Sequence, residues 1–197
     1  MAAKTNHAFE QEYKSFVVPY APPKGDKRRI IVPETKIARI KQLAMEIAVE
    51  KGKERQHQVD GRGAFRRQFT GLLGEAALEE YFGIELIDYS VGNSSKYRAA
   101  SLQRVGLNVG ITTVENWKFP IIYKNPYHPE LICVKRKDNE VVLFGYASVD
   151  VLKQYQSDAF ILDERLRQRG TKSAFYGFSE LLNVESLEDL RRFSGLV

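Results

Sequence analysis

The sequence predicts an α/β (α+β) fold: a central mixed β-sheet flanked by helices, with a basic N-terminal arm and helix ahead of it. Three observations carry that expectation. Apolar residues recur at helical spacing in two stretches, from Ile37 to Ala48 and from Phe65 to Phe82. Between Ile84 and Tyr146, short runs rich in Val, Ile and aromatic residues are separated by Gly, Pro and Asn turns. A chain of 197 residues, 43% hydrophobic and 28% charged, suits one domain with a sizeable core.

Taken in order, residues 1–35 read as an extended arm with a short apolar run, Phe16 to Tyr20, and a turn or linker from Ala21 to Lys27. Arg29 to Val32 reads as a short edge strand, because Pro33 ends it. A helix opens at Pro33-Glu34-Thr35, buries Ile37, Ile40, Leu43, Ala44, Ile47 and Ala48, and stops at Gly52. Residues 52–63 are polar and read as a mobile loop. A second helix runs from about Ala64 to Phe82 and ends at Gly83. Strands are expected over Ile84–Val91, Val105–Val114, Phe119–Tyr123, Glu130–Lys135 and Glu140–Tyr146, all completing one sheet, with a hairpin turn at Lys137–Glu140. A short helix over Asp150–Tyr155 starts near Ser148 or Asp150. Leu162–Gly170 is polar and arginine-rich, Ser173–Phe178 is a further strand, and short helices close the chain. The organisation is thus 1–63, a basic arm, helix and loop packed on the same domain, and 64–197, the α/β core.

Net charge is +5, but residues 1–70 hold 15 Lys/Arg against 8 Asp/Glu, while residues 71–197 hold 15 against 17. That asymmetry points to a surface facing a polyanion, nucleic acid and DNA first. Arg28, Arg29, Arg39, Arg62, Arg66, Arg67 and Lys124 are the candidate contacts. Tyr20, Tyr97, Trp117 and Tyr123 are aromatic side chains able to stack on bases. No apolar run approaches the roughly 20 residues of a membrane span, and the first residues lack the apolar core of a signal peptide. A cytoplasmic location follows by default, with no membrane partner. Cys133 sits in an apolar run and reads as a buried, inert thiol. His7, His57 and His128 are too scattered for a histidine metal site.

The most informative residue is Glu75, an acid inside the apolar helical run Gly71-Leu72-Leu73-Gly74-Glu75-Ala76-Ala77. A carboxylate on a mostly buried helix costs several kcal/mol unless a cation or a counter-charge meets it. Glu79 and Glu80, a turn later, read as solvent-facing. The Gly-x-x-Gly-Glu helix, the glycine-containing strand Leu107 to Val114, the later Leu143-Phe144-Gly145-Tyr146-Ala147 and the closing Phe175 to Leu182 resemble the restriction-endonuclease-like PD-(D/E)xK family over roughly residues 64–190. The resemblance implies a magnesium (or manganese) site built from Glu75, Asp88 and Glu115, with Lys118 assisting water attack and Glu75, Glu115 and Lys118 as the catalytic set. The sequence departs from the family pattern in the strand itself. Thr112 and Val114 stand where an acid and a lysine are expected, Tyr97–Leu102 contains no acid, and Asn108 offers only a neutral carbonyl.

Three functions follow as expectations. The first in order is a nucleic-acid-binding protein with a nuclease-like fold and weak or lost catalysis. The second is an active metal-dependent endonuclease or exonuclease with a rearranged site. The third is a protein-interaction module of a phage or mobile element, an analogy of fold alone. Monomer and homodimer both stay open.

Overall fold

The computed structural model describes residues 6–52, 61–89 and 101–196. The start of the chain is a helix, not the extended arm expected: α1 spans Asn6–Phe16. Phe9, Tyr13 and Val17 recur every four residues, which stacks them on one helical face, and all three are buried. The apolar run after them turns through Val18–Tyr20 as a single 3-10 turn with Pro19 in it. A short strand, β1 (Arg29–Ile31), follows, and Pro33 ends it. Helix α2 (Glu34–Gly52) opens on the Pro33 carbonyl, which accepts from the Ile37 amide at 2.9 Å. Helix α3 spans Gly61–Phe82. Of the loop expected over 52–63, the described ends are helical, Gly52 closing α2 and Gly61 opening α3 three residues before the expected Ala64, while 53–60 and the loop expected after Val91 lie outside the described residues.

Beyond α3 the described part of Ile84–Val91 is not a strand. The amides of Leu86 and Ile87 are taken by the Glu79 carboxylate, at 2.7 and 2.8 Å, so they are not free to donate into a sheet. The strand expected from Val105 also starts later. A 3-10 turn occupies Gln103–Val105, Gly106 is left-handed with φ 77°, and β2 runs only over Gly110–Glu115. The remaining elements are β3 (Ile121–Tyr123), β4 (Glu130–Lys135), β5 (Glu140–Ala147), α4 (Val149–Gln154), β6 (Gln156–Ser157), α5 (Glu164–Gln168), β7 (Lys172–Phe175) and α6 (Leu187–Phe193). Side-chain caps start three of these helices: Ser148 for α4, Asp163 for α5 and a Ser186–Asp189 capping box for α6.

The strands form two sheets where one was expected. The main sheet has the order β1-β5-β4-β2; β2 and β4 are parallel, and the other pairs antiparallel, so it is mixed. The smaller sheet, β3-β7-β6, is antiparallel.

The main sheet separates two apolar layers. Leu131, Cys133, Val141 and Leu143 face α2 and α3, while Ile132, Val134, Val142 and Phe144 face α1, α4 and the small sheet. Simple alternation would continue along β5, but Tyr146 faces the first layer and Ala147 the second. A bulge in the β4–β5 register shifts the phase by one residue. Gly145 carries it at φ 151°, and a Cβ there would come 2.5 Å from the Leu182 carbonyl oxygen. Cys133 is fully buried, and burial pushes its thiol up to about 12, as an inert core residue requires. Residues of the first 52 line both layers, so the described N-terminal elements belong to the same folded body as the α/β core.

Candidate nucleic-acid interface

Helix α3 is held against the edge strand β2 by the absence of a side chain. A Cβ on Gly74 would overlap Thr113 Oγ1 and lie 2.8 Å from Thr113 Cβ. Thr113 Oγ1 is buried there with no hydrogen-bond partner. The next residue on the helix is Glu75, 6% exposed, and one turn further is Glu79, also 6% exposed. The two acids have different surroundings. Glu79 accepts the two amides named above and pairs with Lys36 at 3.0 Å; Lys36 also reaches Glu80. Glu79 is therefore a structural carboxylate, correcting the expectation that it faces solvent, whereas Glu80 is exposed as expected. Glu75 stands close to Tyr89, whose hydroxyl is raised chiefly by burial, with the Glu79 and Glu75 charges adding and Arg39 and Lys36 opposing. The Arg39 guanidinium lies over the Tyr89 ring at 3.9 Å. Glu75 thus belongs to a mixed-charge layer between α2, α3 and the segment after α3.

Glu115 lies at the other end of α3. Alternation along β2 puts it on the Thr113 face, under the first turns of that helix. Its two oxygens meet Arg66 Nε at 2.9 Å and Lys118 Nζ at 2.8 Å. Asp88 is partly buried in the segment after α3. Among the described residues no group of three or more His, Cys, Asp or Glu side chains is arranged to hold a metal ion. Glu75, Asp88 and Glu115 do not assemble as such a group, and both oxygens of Glu115 are engaged by cations. The three donors expected for magnesium or manganese thus do not meet as one cation site among the described residues.

What does converge on that end of the sheet is positive charge with an aromatic at its centre. The turn leaving β2 runs Asn116-Trp117-Lys118. The Asn116 amide donates to the Lys135 carbonyl, and its Oδ1 accepts from Arg136 Nη1 at 3.1 Å and from the Tyr13 hydroxyl at 3.5 Å. Trp117 is left-handed, with φ 65°, among the described residues the one non-glycine with positive φ. Its ring leans on Tyr13 at 5.1 Å, has Lys14 Nζ 5.9 Å from its centre and is 44% exposed. Lys135 and Lys41 approach the Phe69 ring at 4.9 and 5.8 Å. Asp138, in the β4–β5 turn, is held below the usual carboxylate range first by its bond to Lys135, with Lys41 and Arg66 contributing. Cations therefore gather at this end of the sheet from both of its sides, Lys14 with α1 on one and Lys41 and Arg66 with α2 and α3 on the other, alongside Glu115 and Asp138.

The other expected contacts are placed elsewhere. Arg28 closes on Asp26 at 2.7 Å, holding that carboxyl down to about 2. Arg29 is bonded to the Pro22 carbonyl and to Glu140, stitching the N-terminal segment to β5. Arg39 is engaged with Tyr89, and Lys124 with Asp158 at 2.6 Å. Arg67 is exposed on α3, and the side chain of Arg62 lies outside the described residues, as does Tyr97. Arg66 is joined to the Trp117 turn through Glu115, and its side chain is 70% exposed. Tyr20 is exposed on its 3-10 turn, and Tyr123 is exposed with Lys172 4.7 Å from its ring centre.

Sequence reasoning missed one further acid. Glu130 opens β4 beside Gly110 of β2 and accepts from Thr112 Oγ1 at 3.2 Å, so a carboxyl from the neighbouring strand meets the residue standing where the family acid was expected. His128 Nδ1 is 3.4 Å from its other oxygen. Burial drives Glu130 up to about 7, against the opposing pull of Thr112 and Lys172. Below about 4.5 both folded and unfolded chains hold the proton, so there is no effect. Between 4.5 and 7 only the folded chain holds it, so stability falls as pH rises, by about 3 kcal/mol in all. Urea denaturation from pH 4.5 to 8 checks this. Glu130→Gln should flatten the fall, and an unchanged slope in that variant would show that another group causes it.

No family model, curated protein or solved structure matches the chain.

Proposed function

We propose that this protein binds nucleic acid through the surface around the Trp117 turn, within a restriction-endonuclease-like architecture. The observation that carries the proposal is the convergence of Lys14, Lys41, Arg66, Lys118, Lys135 and Arg136 from five separate parts of the chain onto one end of the main sheet. Arg66 and Lys118 share the one carboxylate of Glu115, and Lys135 meets Asp138, so cations outnumber acids there, and a polyanion is the ligand class that such a surplus suits. The nuclease-like architecture is supported by the glycine-bearing α3 seated on β2 through Gly74, followed by the mixed sheet of β2, β4 and β5. The binding mode is backbone neutralisation, with DNA as the first partner to test.

Such binding weakens steeply with salt, because each neutralised phosphate releases counterions. Fluorescence anisotropy with labelled DNA across a salt series is the test. Replacing Arg66 and Lys118 with alanine should lower affinity at low salt and reduce the slope of log K against log salt by about one for each phosphate that is no longer neutralised. The same substitutions at Arg28 and Arg29, which are bonded internally, should leave the slope unchanged. A slope near zero for the wild-type protein would refute the proposal.

A further inference from the structure

Trp117 has a backbone conformation its side chain disfavours. A bulky residue at φ 65° is strained, and such strain persists where surrounding contacts over-determine the turn. Those contacts are present. Asn116 is pinned on three sides by Lys135, Arg136 and Tyr13, and the Trp117 ring rests on Tyr13. Lys118 closes the turn by donating its amide to the Glu115 carbonyl. The neighbouring Asn116, a residue type that tolerates the left-handed region, does not occupy it. The result is an indole backed by Tyr13 and nearly half exposed, with Lys14 near its ring, Lys118 next in the chain and Arg136 bonded to the neighbouring Asn116. A packing role would bury that ring, and a simple turn would place glycine or asparagine at the strained position.

Resting on the nucleic-acid reading above, we propose that Trp117 is a stacking platform for an unpaired base, so that the preferred ligand is single-stranded nucleic acid. In a duplex the base faces are covered by neighbouring bases, and an indole fixed at a turn gains little there beyond the charge contacts. An unpaired base offers a free π-face, while Lys14, Lys118 and Arg136 meet the flanking phosphates. Stacking of this kind tolerates any sequence, because every base has such a face. Tyr13 sets the tilt of the platform from behind and is a positioning residue.

The chain contains one tryptophan, so its emission reports on this ring alone. The experiment titrates the full-length protein with an oligothymidylate of about 20 nucleotides and with a duplex of equal length, following tryptophan emission and anisotropy together. The expected result is quenching by the oligothymidylate, little quenching by the duplex, and tighter binding of the single strand. Trp117→Gly, which suits φ 65°, should fold normally by circular dichroism and lose roughly tenfold or more in single-strand affinity, with a distinctly smaller loss for the duplex; Trp117→Phe should retain most of the single-strand affinity. Equal binding of both ligands with unaltered emission, and full affinity in Trp117→Gly, would overturn the stacking proposal while leaving the basic surface intact. Absence of binding to either ligand at low salt would overturn both. The wild-type emission decides the matter even if the glycine variant folds poorly.

Discussion

Glu79→Ala is expected to lower the free energy of unfolding by about 3–5 kcal/mol, among the largest effects of any single substitution in this chain. The carboxylate is 6% exposed and serves three donors at once: the Leu86 and Ile87 amides at 2.7 and 2.8 Å and the Lys36 ammonium at 3.0 Å. Alanine leaves two buried amides without an acceptor and a partly buried ammonium dependent on Glu80 alone. Each orphaned buried group costs about 1–3 kcal/mol. Glu79→Gln keeps an acceptor for the amides but loses the charge facing Lys36, so it should fall between alanine and wild type. Urea denaturation measures the total, and hydrogen exchange at the Leu86 and Ile87 amides localises it. A loss below about 1 kcal/mol, with those amides still protected, would mean that Glu79 does not organise the segment after α3.

Gly74→Ala should destabilise the protein by about 2–3 kcal/mol, even though alanine is the better helix former by about 1 kcal/mol in an exposed helix. The added methyl has no space, since it would overlap Thr113 Oγ1, and the strand behind that threonine is paired along its length to β4. The helix must lift from the sheet or β2 must move, and Glu75 and the Arg66–Glu115 bond would move with them. Thr113→Ala in the same chain removes the overlapping oxygen but leaves its own Cβ 2.8 Å away, so it should recover only part of the stability, a coupling that thermal melts of the four-member mutant cycle can measure. If Gly74→Ala raises the melting temperature instead, helix propensity governs that position and the close approach does not.

Most of the regular structure was legible in the sequence, for reasons that particular residues make clear. Ile37 to Ala48 and Phe65 to Phe82 hold their periodicity over several turns, and they are α2 and α3. The runs 130–135 and 140–147 are strands flanking a tight turn, as their β-branched composition requires. Helix α1 was hidden because its buried signal is only Phe9, Tyr13 and Val17 among mostly polar residues, and its anchoring partner Phe119 is a distant stretch of chain. The segment after α3 looks like a strand by composition, but a side chain seven and eight residues earlier takes two of its amides, and local patterns do not reveal that. The acids show the same division. Glu75 is conspicuous because its neighbours are apolar, yet the acid with the clearest structural duty is Glu79, placed next to Glu80 where a charged pair reads as solvated. Glu130 is raised by burial at the meeting of two strands, which the sequence of either strand alone does not contain. The strain at Trp117 is a property of a turn fixed from several directions, and no composition rule predicts it.

The two-layer arrangement also dictates an order of assembly. Helices α2 and α3 are neighbours in the chain and can pair as soon as both have been synthesised. Strand β1 has no partner until β5 exists, since Arg29 is paired with Val142. The layer that buries Phe9 and Tyr13 needs Phe119, Phe160 and the last strand, β7, before it can close. A nascent chain therefore carries its first apolar residues unburied until most of its length has emerged. Contacts separated this widely along the chain form slowly and late. During that interval α1 and β1 are the segments most exposed to mispairing, and the ones a chaperone acting at the ribosome would have most reason to hold.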